Sequence, residues 1–498
     1  MATYLRPGVY VQESLNALAP VVGPNSTSVA AFIGYADRGP TTPTLVTSWS
    51  NYVSLYGGWT INNTLHIAVL LFFSNGGSQC YVDRVINQSA SYASRSFNDR
   101  EVSPASTLQI VAANQGYWGN SLAVTIANNP TNTGVDLTVF YGGITSGNIV
   151  EKFTDLTMGQ TDDRYLPAVV NAQSNYIIAT DLISPASGVT RLPVVATTQY
   201  LVTGSDGSSV PASTDIVAAV SDFDIVYNSL VLNAPGVTDT ASVNVLLNYA
   251  EQRGDVFVVI DPVSGAGVSS QITRADSYTT TSYGAVYYPS LVIKDPTSSV
   301  STATVAAAPG GAIAGIMVAT DASRGVFKAP AGLATRIGGA VDVPRLTSSQ
   351  LDSLNSNVAA VNAIRYVPGS GIVVMGSRTL NPTYVDKYVP VRRTLIYLEK
   401  ALKDLTQFAI FEPNDEKLWR KMTASTTGFL NDFWRQGGLR GATPAQAFFV
   451  KCDGETNPQA SIDAGVVNIE IGVALQRPAE FVVIKIGQFD GGTTVTTA

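Results

Sequence analysis

The sequence predicts a multidomain α+β protein, and three observations carry that prediction. Strand–helix–strand alternation over 214–368 indicates an α/β layer with a partly parallel sheet. Over 103–213, short Val/Ile/Thr/Tyr runs separated by Asn-, Gly- and Pro-rich turns read as an all-β sandwich or barrel. Charge then concentrates at the C-terminal end. Residues 369–498 hold 14 of the 30 basic and 13 of the 37 acidic residues, against 3 and 7 in 103–213. At 498 residues the chain is long enough for about three domains. The predicted division is an N-terminal arm (1–28), a first part of the core (29–102), an inserted all-β domain (103–213), an α/β domain (214–368), an α+β C-terminal domain (369–480) and a C-terminal arm (481–498).

Taken in order, Gly8-Val9-Tyr10-Val11-Gln12 is a short strand with little local company, followed by a Pro/Gly/Ser-rich linker over 19–27. Ten such residues span roughly 30 Å at full extension. Such a strand either closes its own sheet or adds to a neighbour's by β-augmentation. Thr64-Leu65-His66-Ile67-Ala68-Val69 opens what reads as an amphipathic helix. Inside the inserted stretch, 108–112, 122–126 and 135–141 are strands. Residues 225–232 read as an apolar strand, followed by a helix capped by Thr238 or Asp239 and stopped by Gly254. The run 256–260, apolar without alternation, is expected to be covered on both faces. Strands at 285–288 and 291–293 follow, then an Ala/Gly-rich helix from about Pro309, with Asp321 and Arg324 capping its end.

In the charged region, Val391, Leu395, Leu398, Leu402 and Leu405 form one apolar stripe, with Glu399 and Lys403 paired at i,i+4. Pro413 breaks the chain. A second helix aligns Leu418, Met422, Phe429 and Phe433 and ends at Gly437-Gly438. Thr443-Pro444-Ala445-Gln446 has the composition of a capping box. Phe481-Val482-Val483-Ile484-Lys485-Ile486 is a strong closing strand.

Composition excludes much chemistry. Cys80 and Cys452 form no CxxC pair, which argues against a zinc cluster or a disulfide framework. The net charge of -7 argues against nucleic acid as a partner. The longest apolar run, 67–73, is far short of a membrane span, and the start lacks a secretory signal, so a product soluble in a cytoplasm is expected. No phosphate loop is present. Gly265-Ala266-Gly267 begins like a dinucleotide fingerprint, but Ser270 stands where the third glycine belongs, which favours an ordinary βα turn. Asp222 and Asp224 are better read as solvated turn carboxylates than as cation ligands. His66 is the one imidazole available to a hydrolase, and no GxSxG accompanies it. The expectation is no catalytic residue, no cofactor and no metal.

Several runs resemble the tail sheath proteins of contractile bacteriophage tails and related injection systems. Tyr4-Leu5-Arg6-Pro7-Gly8-Val9-Tyr10-Val11-Gln12-Glu13 is close to the family's PGVYVxE opening. Further matches are Arg253-Gly254-Asp255 with the strand after it, Ala319-Thr320-Asp321-Ala322-Ser323-Arg324-Gly325-Val326-Phe327, Val391-Arg392-Arg393, Phe411-Glu412-Pro413-Asn414-Asp415, Ala447-Phe448-Phe449-Val450-Lys451-Cys452-Asp453 and Arg477-Pro478-Ala479-Glu480-Phe481. The resemblance is weak over 103–213, and Met375-Gly376-Ser377-Arg378-Thr379-Leu380 departs from the family's WGARTL. It implies a core of subtilisin-like topology without catalytic function. It implies a structural subunit stacked in rings as a helical sheath around an inner tail tube, with baseplate and tail terminator proteins as further partners, in a virion tail or tail-like particle assembled in the bacterial cytoplasm. It also implies that Val9, Tyr10 and Val11 and the strand Phe481, Val482, Val483, Ile484 and Ile486 join sheets in adjacent subunits, with 19–27 and 487–492 as hinges. An S-layer, capsid or adhesin subunit is the alternative of similar composition.

Overall fold

The computed structural model describes residues 29–60 and 63–480. Both arms, and with them Val9, Tyr10, Val11, Phe481, Val482, Val483, Ile484 and Ile486, lie outside the described residues.

The largest unit is an eight-stranded sheet. Its spatial order is Gly371–Val374, Val361–Val367, Gly284–Tyr288, Val256–Ile260, Leu230–Asn233, Val29–Gly34, Cys80–Arg84 and Thr44–Val46. The six inner strands run parallel, and an antiparallel strand closes each edge. Parallel strands must be covered on both faces, which explains why Val29–Gly34 and Val256–Ile260 are apolar throughout and wholly buried. The expected strand at 225–232 is shorter, Leu230–Asn233. Ile225 ends a 3-10 turn instead and is 77% exposed, so its apolar side chain does not continue the strand.

Helix Thr64–Ser74 is buried nearly all round, not amphipathic, because helix Gly310–Arg324 lies against it. That approach needs glycine. A Cβ on Gly311 would stand 2.0 Å from the Ala68 carbonyl oxygen, and one on Gly315 2.6 Å from that of Phe72. Helix Thr240–Arg253 has the expected ends: Asp239 accepts from the Ser242 amide at 2.9 Å, and Gly254 takes φ +79°.

Residues Ala93 to Leu201 contribute to a second apolar core. It lies between a three-stranded sheet (Ser94–Asn98, Ser106–Ala112, Ile177–Asp181) and a four-stranded one (Ala196–Tyr200, Leu122–Asn128, Val135–Tyr141, Ile149–Leu156). This module is not purely β, since helix Leu166–Gln173 buries Leu166, Val169 and Val170 in it. Its first strand also precedes residue 103. The chain enters and leaves side by side, with Ser91 bridged to Ser205.

A third core joins helices Val389–Leu405 and Glu416–Arg435 to a two-stranded sheet, Phe448–Lys451 with Glu470–Val473. Val326, from the segment after Gly310–Arg324, is buried in the same cluster. The expected stripe on the first helix is offset. Leu395, Leu402 and Leu405 are half-buried, while Ile396, Ala401 and the charged pair Arg392 and Arg393 are inside. The capping box at 443–446 does not form. The Thr443 side chain makes no cap, the helix Pro444–Ala447 has four residues, and Gln446 Oε1 accepts instead from the Ala442 amide.

Candidate assembly site

Arginines hold the C-terminal domain to the sheet. Arg393 donates to both oxygens of Asp321 at 3.0 and 2.5 Å, with both side chains almost fully enclosed. Asp321 therefore does not cap its own helix end, as the sequence suggested; it receives a cation from a helix 72 residues away. Arg392 donates to Asp386 at 3.1 Å, and its guanidinium lies 4.6 Å from the Tyr283 ring centre. Two helical turns further, Lys400 stands 3.7 Å from Asp255, which also accepts from Arg253 at 2.6 Å. Arg253 in turn ties the 3-10 turn to the sheet through the Phe223, Val226 and Asn228 carbonyls. Burial raises the Asp255 carboxyl against the pull of Arg253 and Lys400, and burial lowers the Lys400 ammonium.

Glu480, the last described residue, is fixed in the same way. Glu480 accepts from Arg378 at 2.6 Å and from the Tyr388 hydroxyl at 3.2 Å. Arg378 is held by Asn355 through its side chain and by Asn362 through its backbone. A Cβ on Gly376 would meet Asn362 at 2.8 Å, so the glycine of the divergent 375–380 run is required by this packing. At the other end, Val29 begins the strand third from one edge of the sheet, between Leu230–Asn233 and Cys80–Arg84. The two-stranded sheet Phe448–Lys451 with Glu470–Val473 pairs with no third named strand among the described residues.

The module with its own core over 93–201 is attached by different means. Arg38 inserts its guanidinium between Trp118, Tyr141 and Tyr176, 5.0 to 5.8 Å from their ring centres, and donates to the Val53 carbonyl at 2.9 Å. Arg84, fully buried, donates to the carbonyls of Ala36, Asp37, Gly39 and Gln115. Burial lowers it to about 10. The sequence reading missed both residues, because a cation facing carbonyls and rings from distant segments leaves no spacing pattern.

His66 is fully enclosed, with Nδ1 2.7 Å from the Tyr52 hydroxyl and Nε2 3.7 Å from Asp37, so no substrate reaches the imidazole. The sheet's switch point, where ligands bind in open parallel sheets, is filled. Asn233 and Asp261 are buried there, and Asp261 accepts from the Gly310 amide at 2.7 Å. Burial pushes Asp261 up to about 6. Gly265 and Gly267 form an ordinary turn into helix Val268–Asp276. Asp222 and Asp224 are exposed, and Asp224 accepts from Tyr249. Among the described residues no three His, Cys, Asp or Glu side chains are grouped to hold a metal, and no helix is long and apolar enough to cross a membrane.

Residues 384–488 match the family model of the phage tail sheath C-terminal domain. No curated protein sequence matches the chain. Among solved structures, the chain is similar over 98% of its length to 99% of the PVC sheath of an extracellular contractile injection system in its contracted state, at 23% identity and a TM-score of 0.58. It is similar over 98% of its length to all (100%) of the helical sheath chain of the anti-feeding prophage in its contracted state, at 23% identity and 0.60. The sheath tail protein of Listeria innocua matches 87% of this chain over 90% of its own, at 14% identity and 0.63. At these identities the structures establish a shared fold, in which the mixed α+β organisation is common.

Proposed function

We propose, from the match over 384–488 and the shared fold, that this chain is a contractile tail sheath protein, a structural subunit that polymerises around an inner tail tube and contracts to drive that tube through a target envelope. The observation that carries the reading is the match over 384–488. It covers the segment whose buried arginines tie the C-terminal helices to the sheet and whose end, Glu480, is pinned where an arm begins.

The finer reading takes the eight-stranded unit as a subtilisin-like core, with the module between its strands as an insertion. Val9, Tyr10 and Val11 and the segment Phe481, Val482, Val483, Ile484 and Ile486 are strands that add to sheets of neighbouring copies, and 19–27 and 487–492 are the hinges. The Phe448–Lys451 and Glu470–Val473 pair, which no third named strand joins among the described residues, suits such addition, because unpaired edge N–H and C=O groups template a further strand. A strand adding four to six bonds at roughly 1 kcal/mol each is modest alone. Repeated through a head-to-tail helical array it becomes permanent in aggregate. Between an extended and a contracted lattice the bodies would move while these links persist, with no nucleotide involved. The partners in this reading are other copies of the chain, the tube, and baseplate and terminator proteins, in a virion tail or tail-like particle assembled in a bacterial cytoplasm.

Negative-stain microscopy of the purified chain tests the reading: striated hollow tubes are expected, and flat lattices or closed shells would contradict it. Deleting residues 1–20 is expected to abolish tube formation while leaving the monomer folded. Normal polymers from that variant would remove the linking role of the arm.

A further inference from the structure

The i,i+3 and i,i+4 spacing of the short helix Trp49–Tyr56 sets Trp49, Tyr52 and Tyr56 along one face. Their rings stack in a row, with centroids 5.3 Å apart from Trp49 to Tyr52 and 5.1 Å apart from Tyr52 to Tyr56. Trp49 is half-buried, so the row begins where solvent touches it, and both tyrosines are fully enclosed. Stacked rings alone are ordinary core packing. The hydroxyls set the two tyrosines apart. Tyr56 donates to the Val82 carbonyl at 2.9 Å, the usual way to satisfy a buried phenol. Tyr52 instead meets Nδ1 of His66 at 2.7 Å.

A carbonyl only holds a phenol in place, whereas an imidazole nitrogen is a base that also accepts its proton. With the Tyr52 hydroxyl donating to Nδ1, the ring's own proton lies on Nε2, which faces the Asp37 carboxylate at 3.7 Å. A second proton on this imidazole therefore forms a cation beside an opposite charge. Burial raises the Tyr52 phenol well above its ordinary range, so it does not ionise near neutral pH. Loss of an electron changes that, because an oxidised phenol is a strong acid and gives up its proton to the nearest base.

We propose that Tyr52 is redox-active, oxidised by one electron through Trp49 with transfer of its phenolic proton to His66. The oxidant is a small one-electron acceptor in solution, of the class of the carbonate radical or a ruthenium(III) complex, and it takes an electron from the Trp49 indole. Tyr52 returns an electron to the Trp49 radical cation, its O–H bond breaks, and the proton forms an N–H bond at His66 Nδ1. The products are neutral Trp49, a neutral Tyr52 phenoxyl radical and an imidazolium beside Asp37. The enclosed radical is shielded from other molecules, so the row acts as a sink for oxidising equivalents. This activity belongs to the folded chain by itself and does not rest on the sheath reading.

The test is flash photolysis of tris(bipyridyl)ruthenium(II) and persulfate with the purified full-length chain, read by freeze-quench electron paramagnetic resonance. A tyrosyl radical is expected from the wild type, and Tyr52→Phe, shown by circular dichroism to be folded, is expected to lose most of that signal. The chain has 22 tyrosines, so an unchanged signal from folded Tyr52→Phe would assign the radical elsewhere and overturn the proposal. His66→Asn sets an amide oxygen near the place of Nδ1, which keeps a hydrogen-bond acceptor and removes the base. It is expected to slow radical formation about a hundredfold, and an unchanged rate would refute the proton transfer. Wild-type chain equilibrated in deuterium oxide supplies a readout without any substitution. Radical formation is expected to be slower there than in water, and equal rates would overturn the coupled step.

Discussion

The two junctions that hold this chain together treat buried cations in opposite ways. Where the C-terminal helices meet the sheet, each arginine finds a carboxylate: Arg393 with Asp321, Arg392 with Asp386, Arg378 with Glu480. Where the inserted module meets the sheet, Arg84 donates to four carbonyls and Arg38 faces three rings. Asp83, next to Arg84 in the same strand, points to the other face. Its two oxygens are buried without a hydrogen-bond donor among the described residues. Paired charges are costly to separate, because removing one leaves the other without its main compensation. Loss of a cation that faces carbonyls and rings strands no opposite charge. The first junction is thus built as a rigid weld and the second as a graded attachment.

The largest expected effect breaks the weld. Asp321→Ala should destabilise the chain by about 3–5 kcal/mol, and the double variant with Arg393→Met should recover much of the loss, as read by chemical denaturation of all three variants. A double variant as unstable as the single one would show that the pair is not coupled. Next comes the unpartnered carboxylate. Burial, with Asp222 nearby, raises Asp83 to about 7 from its ordinary 3.8. A carboxyl raised on folding binds its proton more tightly in the folded state, so its contribution is full below pH 4 and is lost as pH rises toward 7. Asp83→Asn should therefore gain roughly 2–4 kcal/mol over the parent at pH 8 and nothing at pH 4, measured by denaturation across that range. The smallest effect is at the attachment. Arg38→Ala should cost about 1–2 kcal/mol and split the calorimetric unfolding into two transitions, with the module melting first. A single unshifted transition would mean that the ring cage contributes little to holding the module.

Much of the scaffold was legible because local rules and tertiary demands coincide. Val256–Ile260 is apolar without alternation because helices cover both faces of its sheet, and Asp239 and Gly254 mark helix ends with side chains those positions require. Ile225 misled because an apolar residue before a strand reads like part of it, whereas here it ends a 3-10 turn in solvent. Arg392 and Arg393 look like the wet side of an amphipathic helix, yet they are buried because their partners, Asp386 and Asp321, approach from other elements. The Arg38 cage gathers rings from positions 118, 141 and 176, a set no local spacing announces. Phe411 was read within a family motif, but its 89% exposure and its φ of +66° are visible only in three dimensions.

The Ser91–Ser205 bridge has a practical meaning for anyone wishing to alter this molecule. Chain departure and return share one doorway, about a strand's spacing (~5 Å) wide. A different cargo domain whose own ends lie that close together could be spliced there in place of the native one, leaving the strand order and the anchor at Glu480 in place, provided that it also covers Arg38 and Arg84.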